Sequence, residues 1–505
     1  MHTVLKNKWW TLVIVCLGTF MLLLDVTIVM VALPDMEHDL GASFSQLQWV
    51  TDAYALSLAA LLLTAGSLSD RFGRRLIFAI GLTIFTAGSA LCGAATRPEM
   101  LIGSRAAQGV GGAMLFATSL AILAATFSGR DRGIAFGVWG AVTGIATALG
   151  PILGGAITTG LDWRGIFYVN VPLGAIALIL TFILMGESKA PHARRIDWAG
   201  MITFTGGLFA LVYAFTEAGE TSWTDTTVLW CFGAAAALLI AFGVVEWKLR
   251  EPMFDLDLFR VPTFLGGSIA AFCMNGSMFA MMLYFVLYLQ NQLGYNAFDA
   301  GLRLLVFSAM TMVVATIAGR LTDRVPARWM IGPGLLLVGV GLLTMMGLDD
   351  HSNWTHLILG FVIAGIGAGL VNPPLASTAV GVVTVDRSGM ASGINNTFRQ
   401  VGIAVGIAVY GTLFSSKIVD SLRDSLAGTA MADDVDAIAK AVTAGDQKML
   451  VEKVPADLRT DAADTIATAF TDGLNQLFLI SGVVAIVGGV AAYFLIRSKD
   501  FVQAE

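Results

Sequence analysis

The feature that most constrains this chain is a recurrence: from Trp9 to Ile496, apolar stretches of about 20 residues follow one another with only short polar breaks. Each stretch is long enough to cross a hydrocarbon core, and inside lipid a backbone can satisfy its own polar groups only as a helix or a closed barrel. About fourteen such segments can be counted, with cores near 10–33, 48–68, 76–95, 100–125, 134–158, 166–186, 198–217, 227–247, 264–290, 300–318, 330–348, 355–372, 390–413 and 474–496. Composition agrees, because 56% of the 505 residues are hydrophobic and only 13% charged, about half the charged share of a soluble domain. An all-α polytopic membrane protein is expected. The first segment follows Lys6 and Lys8 like a signal peptide, but its apolar run is too long and lacks a small-residue cleavage site, so it is read as the first helix.

Lys and Arg mark one set of breaks, among them Arg71, Arg74, Arg75, Arg320, Arg324 and Arg328, with Arg497 and Lys499 after the last segment. The alternate short breaks carry Arg97, Arg164 and Arg303 with acids such as Asp35, Glu37 and Asp39. By the positive-inside rule both termini are expected in the cytoplasm. The long hydrophilic stretch at about 415–472, with eleven acids against six bases, is then an extracytoplasmic loop, expected to be solvated and partly helical. The four cysteines fall singly in apolar segments, and the five histidines lie in termini or breaks. No metal-ligand cluster, nucleophile elbow or phosphate loop suggests an enzyme, and no metal site is expected.

Two breaks share a pattern: Gly66-Ser-Leu-Ser-Asp70-Arg71-Phe-Gly73-Arg74-Arg75 and Gly319-Arg-Leu-Thr-Asp323-Arg324-Val-Pro-Ala-Arg328. Gly109-Val-Gly-Gly-Ala113 and Gly365-Ile-Gly-Ala-Gly369 repeat at nearly the same offset. Duplicated six-helix halves are expected, 1–190 and 256–505, with two inserted helices in 191–255. Such repeats are how many transporters build a central site that faces each side in turn.

At these residues the chain resembles the major facilitator superfamily, and within it the fourteen-helix drug:proton antiporter family of the multidrug efflux type. Leu24-Asp25-Val-Thr27-Ile-Val-Met30-Val-Ala32-Leu33-Pro34 is similar to the family's first-helix signature, with Met30 where Asn is usual. Gly66 to Arg75 matches the gating-loop motif, and Gly103-Ser-Arg105-Ala-Ala-Gln108-Gly109 the fourth-helix motif. Gly140, Gly144 and Gly150-Pro151-Ile-Leu-Gly154-Gly155 match the fifth-helix antiporter motif. Asp162-Trp163-Arg164-Gly165-Ile-Phe167-Tyr-Val-Asn170-Val-Pro172 follows, with Gly165 in place of an aromatic. The resemblance implies a proton-coupled exporter of small amphipathic, cationic compounds in a bacterial cytoplasmic membrane. It implies no cofactor beyond the proton gradient, and as partners the bilayer, a small-molecule substrate and protons, with no nucleic acid; one chain can form the whole pathway. A dedicated exporter of one metabolite, antibiotic or lipid, a proton-coupled nutrient importer, and sodium coupling remain as alternatives.

The residues themselves indicate roles. Asp25 lies deep in the first segment, where an ionised carboxylate is costly unless partnered; it is the leading proton carrier. Desolvation raises a carboxyl group's proton affinity and a nearby cation lowers it, so a change in either can load and release a proton. Arg105 is the obvious cation, and by depth along their helices Asp25, Asp52 and Arg105 can meet; Asp52 has helix capping as its simpler reading. Gly66, Asp70, Arg71, Gly73, Arg74 and Arg75 are expected to form a conformational latch where the second and third helices come close. Gly137, Gly140, Gly144 and Ala148 give a small-residue face for close packing, and Pro151 loosens the outer turn. A substrate pocket is expected from Gln108, Asn275, Met278, Met281, Met282, Tyr284, Tyr288, Asn395 and Asn396, since thioethers and aromatics suit varied apolar cations.

Overall fold

The computed structural model describes the chain except residues 1–7, 128, 189–196, 250–251, 253, 323, 384–387, 427–433, 444–458 and 502–505, and, within helices, a few side chains including those of Asp70, Gly137 and Ala148. Among the described residues every regular element is helical. Fourteen principal helices run in chain order: α1 Lys8–Leu40, α2 Phe44–Phe72, α3 Arg74–Gly93, α4 Pro98–Thr126, α5 Gly129–Gly160, α6 Gly165–Leu184, α7 Trp198–Glu220, α8 Thr226–Lys248, α9 Pro262–Gln292, α10 Ala297–Leu321, α11 Arg328–Leu343, α12 Ile358–Gly381, α13 Ser388–Ser425 and α14 Arg459–Leu495. All but α5 and α11 are straight enough, long enough and apolar enough to cross a bilayer unaided; α5 bends by 41° between Val138–Ala146 and Leu149–Gly160, and α11 is a 16-residue apolar helix. The bend precedes Pro151, which removes a helix hydrogen bond and crowds the carbonyl four residues back.

Local chemistry sets several ends. Ser43 and Gln46 form a reciprocal capping box at the start of α2. Pro98 and Pro262 occupy the first turns of α4 and α9, where a missing N–H costs nothing. Asp225 caps α8 through the Thr227 amide, which holds its exposed carboxylate below the usual range.

The packing repeats with an offset of eight helices. In the first half α4 packs on α2 and α3, α5 on α1, and α6 on α3; in the second, α12 packs on α10 and α11, α13 on α9, and α14 on α11. The glycine runs sit in equivalent places: a Cβ at Gly109 would strike the Tyr54 carbonyl of α2 and one at Gly111 the α3 backbone, while Gly365 and Gly369 face α10 and Gly367 faces α11. The halves meet along α5 with α10 and α2 with α13, and the inserted α7 and α8 pack on each other, with α7 against α13 and α2. Exposed Leu229, Trp230, Ile240 and Trp247 of α8 form a lipid-facing surface.

The stretch at about 415–472, expected to be a partly helical loop, is helical over most of its described residues. α13 continues to Ser425 and α14 begins at Arg459, with a short helix Val435–Thr443 between them. The continuation is amphipathic: Ile418, Leu422, Val435, Val442, Ile466 and Phe470 are buried together. The expected boundary near 190 lies outside the described residues; that near 255 falls just before a 3₁₀ turn at Leu256–Arg260.

Candidate functional site

A closed polar cluster occupies the middle of the first half. Asp25 of α1 is fully buried and Arg105 of α4 is 1% exposed. Nη1 of Arg105 lies 2.5 Å from Asp25 Oδ2 and also donates to Gln108 Oε1 at 2.7 Å. Gln108 stands three residues on from Arg105 and so shares its helix face; its Nε2 donates to Asp25 Oδ1 at 2.8 Å. Asn170, at the start of α6, reaches the same oxygen at 3.3 Å and Ser89 Oγ at 3.1 Å, while Ser89 donates to the Phe167 carbonyl at 2.8 Å. Arg105 Nε donates to the Val50 carbonyl of α2 at 3.1 Å, and its guanidinium lies 4.2 Å from the centre of the Tyr54 ring.

Side chains of α4 and α6 therefore converge on the one carboxylate of α1, held from behind by α2 and α3. The guanidinium is held independently of it by the Val50 carbonyl, Gln108 and Tyr54, so Asp25 can change partners while the cation stays in place. Asp52 does not join this cluster. It is fully buried on α2, and neither carboxylate oxygen has a hydrogen-bond partner among the described residues.

The turn between α2 and α3 is tied to its own half. Gly73 has φ 121°, and a side chain there would also collide with the Glu187 carboxylate. Glu187 accepts from the amides of Arg75 at 3.0 Å and Leu76 at 3.3 Å, satisfying free donors at the start of α3. Arg75 Nη1 donates to the Met185 carbonyl at 3.1 Å, and Arg74 Nη1 to the Ala121 carbonyl of α4 at 3.3 Å. Arg71 is exposed beside Phe72, Gly66 faces open space, and the side chain of Asp70, like Asp323 of the repeat, lies outside the described residues. Glu187 was not singled out from the sequence; its only signal is an acid at the end of the sixth segment.

Among its described glycines, the small-residue face of α5 is used at one end only. Gly150 and Gly154 pack against Thr27 and Ile28 of α1, and a side chain at Gly155 would strike the Ala297 carbonyl of α10. Gly301 of α10 sits as closely on the Pro151 carbonyl, and the Phe298 amide donates to Thr159 Oγ1 at 3.2 Å. Gly140 and Gly144 have open space where a Cβ would stand. At the same end of the bundle as Gly155, Gly411 of α13 lies on the Gln48 amide of α2, which donates to the Ile407 carbonyl at 3.0 Å.

The residues expected to line a pocket are packed. Met278, Met281, Met282, Tyr284 and Tyr288 are buried, and the two tyrosine hydroxyls donate to the carbonyls of Ile407 and Ser352. Asn275 and Asn396 turn back onto their own helices at 2.9 and 3.0 Å, Asn395 donates to the Gly267 carbonyl at 3.4 Å, and Gln108 belongs to the Asp25 cluster. A void of about 10 Å³, beside Thr27, Met30, Phe279 and Met282, lies between the halves there. A larger cavity, about 580 Å³, opens elsewhere, between Trp223, Lys417 and Asp420 on one side and Asp472 and Gln476 on the other.

A family model described as "Major Facilitator Superfamily" matches residues 15–407. The chain belongs to the major facilitator superfamily. It is 37% identical over 423 residues to "Multidrug resistance protein Stp" of Mycobacterium tuberculosis (strain CDC 1551 / Oshkosh), covering 83% of this chain and 78% of that protein. It is 35% identical over 476 residues to "Puromycin resistance protein pur8" of Streptomyces alboniger, covering 92% and 94%, and 30% identical over 504 residues to "Tetracenomycin C resistance and export protein" of Streptomyces glaucescens, covering 98% and 92%. Among solved structures it is similar to a bacterial homolog of the human lysosomal transporter Spinster, with a TM-score of 0.68, 17% identity and 99% of each chain covered. Two six-helix halves of the superfamily fold, with two helices inserted between them in this chain, account for the eight-helix offset in the packing. As a facilitator-type membrane transporter the chain is not an enzyme.

Proposed function

We propose that this chain is a proton-coupled antiporter that exports small amphipathic compounds by alternating access. The observation that carries this reading is the wholly buried Asp25–Arg105 pair at 2.5 Å, shared among helices that must move relative to the second half. A proton arriving at Asp25 replaces the attraction to Arg105, and its departure restores that attraction; each event biases the packing of α1 against α4. Efflux is supported by the names of the relatives, which are resistance and export proteins of bacteria.

With both termini in the cytoplasm of a bacterial cell membrane, as the Arg-rich breaks favour, the α5–α10 and α2–α13 seals close the outer face. In that orientation the arrangement is open toward, or occluded from, the inside. The halves are assigned to 1–190 and 256–505, with 191–255 inserted and one chain forming the pathway. The turn from Gly66 to Arg75 acts as the cytoplasmic latch, and Asp52 is a second candidate for proton exchange. A preference for cationic cargo would need the methionines and tyrosines of α9 to become accessible in another conformation.

The test uses inverted membrane vesicles with an imposed pH gradient. Wild type should accumulate ethidium only when the gradient is present, and Asp25→Asn should lose that accumulation while inserting normally. Uptake indifferent to the gradient, or intact in the variant, would refute the reading; a response to sodium instead of pH would reassign the coupling ion. A second reading, a dedicated exporter of one antibiotic or other metabolite, is favoured by relatives named for puromycin and tetracenomycin C. A transport screen over cationic, neutral and anionic compounds separates the two.

A further inference from the structure

The second half holds a cation that the proton site does not use. Arg399 lies on α13, eleven residues in from Ser388, or about 17 Å along the axis. Its Nη1 donates to Asn372 Oδ1 of α12 at 3.1 Å and its Nε to Asn395 Oδ1 at 3.4 Å. No carboxylate among the described residues lies within ion-pair distance, and Nη2 has no protein partner there. Arg105 is different: it is sealed, with an acid against it. Arg399 is partly buried, and Nη2 is the edge of its fork that no described residue occupies.

A charge at this depth is costly without a counter-charge, and intramembrane ionisable residues mark substrate or ion pathways. The described surroundings hold the fork without an acid to neutralise it. Asn395 is fixed to the Gly267 carbonyl of α9, and Thr397 donates to the Ala59 carbonyl of α2, so three neighbouring helices position this part of α13. Asn372 immediately precedes Pro373 and Pro374 inside α12. Neither proline can donate to the carbonyl four residues back, so the continuous helix lacks two backbone hydrogen bonds beside the guanidinium.

We propose that Arg399, aimed by Asn372 and Asn395, is an anion-recognising subsite of the transport pathway, and that this chain favours cargo carrying a carboxylate over otherwise similar cargo without one. This deepens the exporter reading and rests on it. The free edge of a guanidinium presents parallel donors to a carboxylate, a geometry that a lysine ammonium lacks. The cargo's own charge then supplies the partner that the protein withholds, and the empty site carries the cost of an unneutralised cation.

The test compares two dyes that share one ring system: rhodamine B, whose carboxylate is ionised at neutral pH, and its ethyl ester. Binding to the full-length protein in lipid nanodiscs is read by fluorescence anisotropy, and pH-driven uptake of the ester is followed in proteoliposomes. Arg399→Gln should lower the acid-to-ester affinity ratio by about tenfold or more, and Arg399→Lys should lower it less. Should Arg399→Gln fail to insert, Asn372→Leu, which keeps the charge but frees the fork, must move the ratio in the same direction. An unmoved ratio, or a wild type that binds the ester and not the acid, overturns the subsite. Loss of gradient dependence for the ester in wild type instead overturns the antiporter reading, so the two failures are distinguishable.

Discussion

Replacing Asp25 with Asn should destabilise the protein by an amount that a second replacement largely returns. The single change keeps the shape of the side chain but leaves the Arg105 guanidinium, 1% exposed, facing an amide. Removing one member of a buried ion pair costs about 3–5 kcal/mol, because the survivor is buried without a counter-charge. Arg105 keeps the Val50 carbonyl, Gln108 and the Tyr54 ring, so the lower end, about 3 kcal/mol, is expected. Adding Arg105→Gln removes the orphaned cation, and the double variant should lie within about 1.5 kcal/mol of wild type, giving a coupling energy of about 2 kcal/mol or more. The assay is a double-mutant cycle on protein purified in one detergent, unfolded by heat or by titrated SDS, with uptake by vesicles measured in parallel. Both variants should lack proton-driven export. Costs that simply add, with coupling below about 0.5 kcal/mol, would show that the pair does not hold the helices together, and the reasoning would fail.

Glu187→Gln should weaken the two amide contacts at the start of α3 and cost about 1 kcal/mol, as loss of a helix cap does; equal stability in the same unfolding assay would remove Glu187 from the latch. Gly155→Leu should force α10 away from α5, because a Cβ alone already strikes the Ala297 carbonyl. Oxidative cross-linking of a Thr159→Cys, Phe298→Cys pair should then fall several-fold, and unchanged cross-linking would show that the glycine does not set the closure. Asp52→Asn should be neutral or stabilising by about 1 kcal/mol, since the carboxylate oxygens forfeit no partner; a large loss of stability would mean that this acid has a stronger structural role.

The helical architecture was legible because its determinant is one-dimensional: a run of about 20 apolar residues has few alternatives in lipid. The repeat was legible for a similar reason, since Gly109 and Gly365 must each admit a neighbouring backbone, and only glycine does so without a collision. Depth along a helix was enough to bring Asp25 and Arg105 within reach. It was not enough for Asp52, because depth says nothing about which side of α2 a residue occupies. Asn170 and Gln108 show the complementary limit: their amides matter through angles between α4 and α6, which no spacing within either helix reports. Some helix was expected in 415–472, but not which residues of it pack, because the apolar stripe has its partners on α14 and the short helix after α13.

The uneven use of α5 has a mechanical meaning. Its glycines at 150, 154 and 155 are already filled by neighbours, whereas 140 and 144 stand vacant some two to three turns away. Pro151, set at the edge of the occupied stretch, gives the rod a place to flex. A helix carved with notches at both ends, only one of them engaged, behaves as a rocker with two rests: leaving the first has a ready destination in the second. The geometry of the opposite pose would then already be cut into this one helix of the bundle.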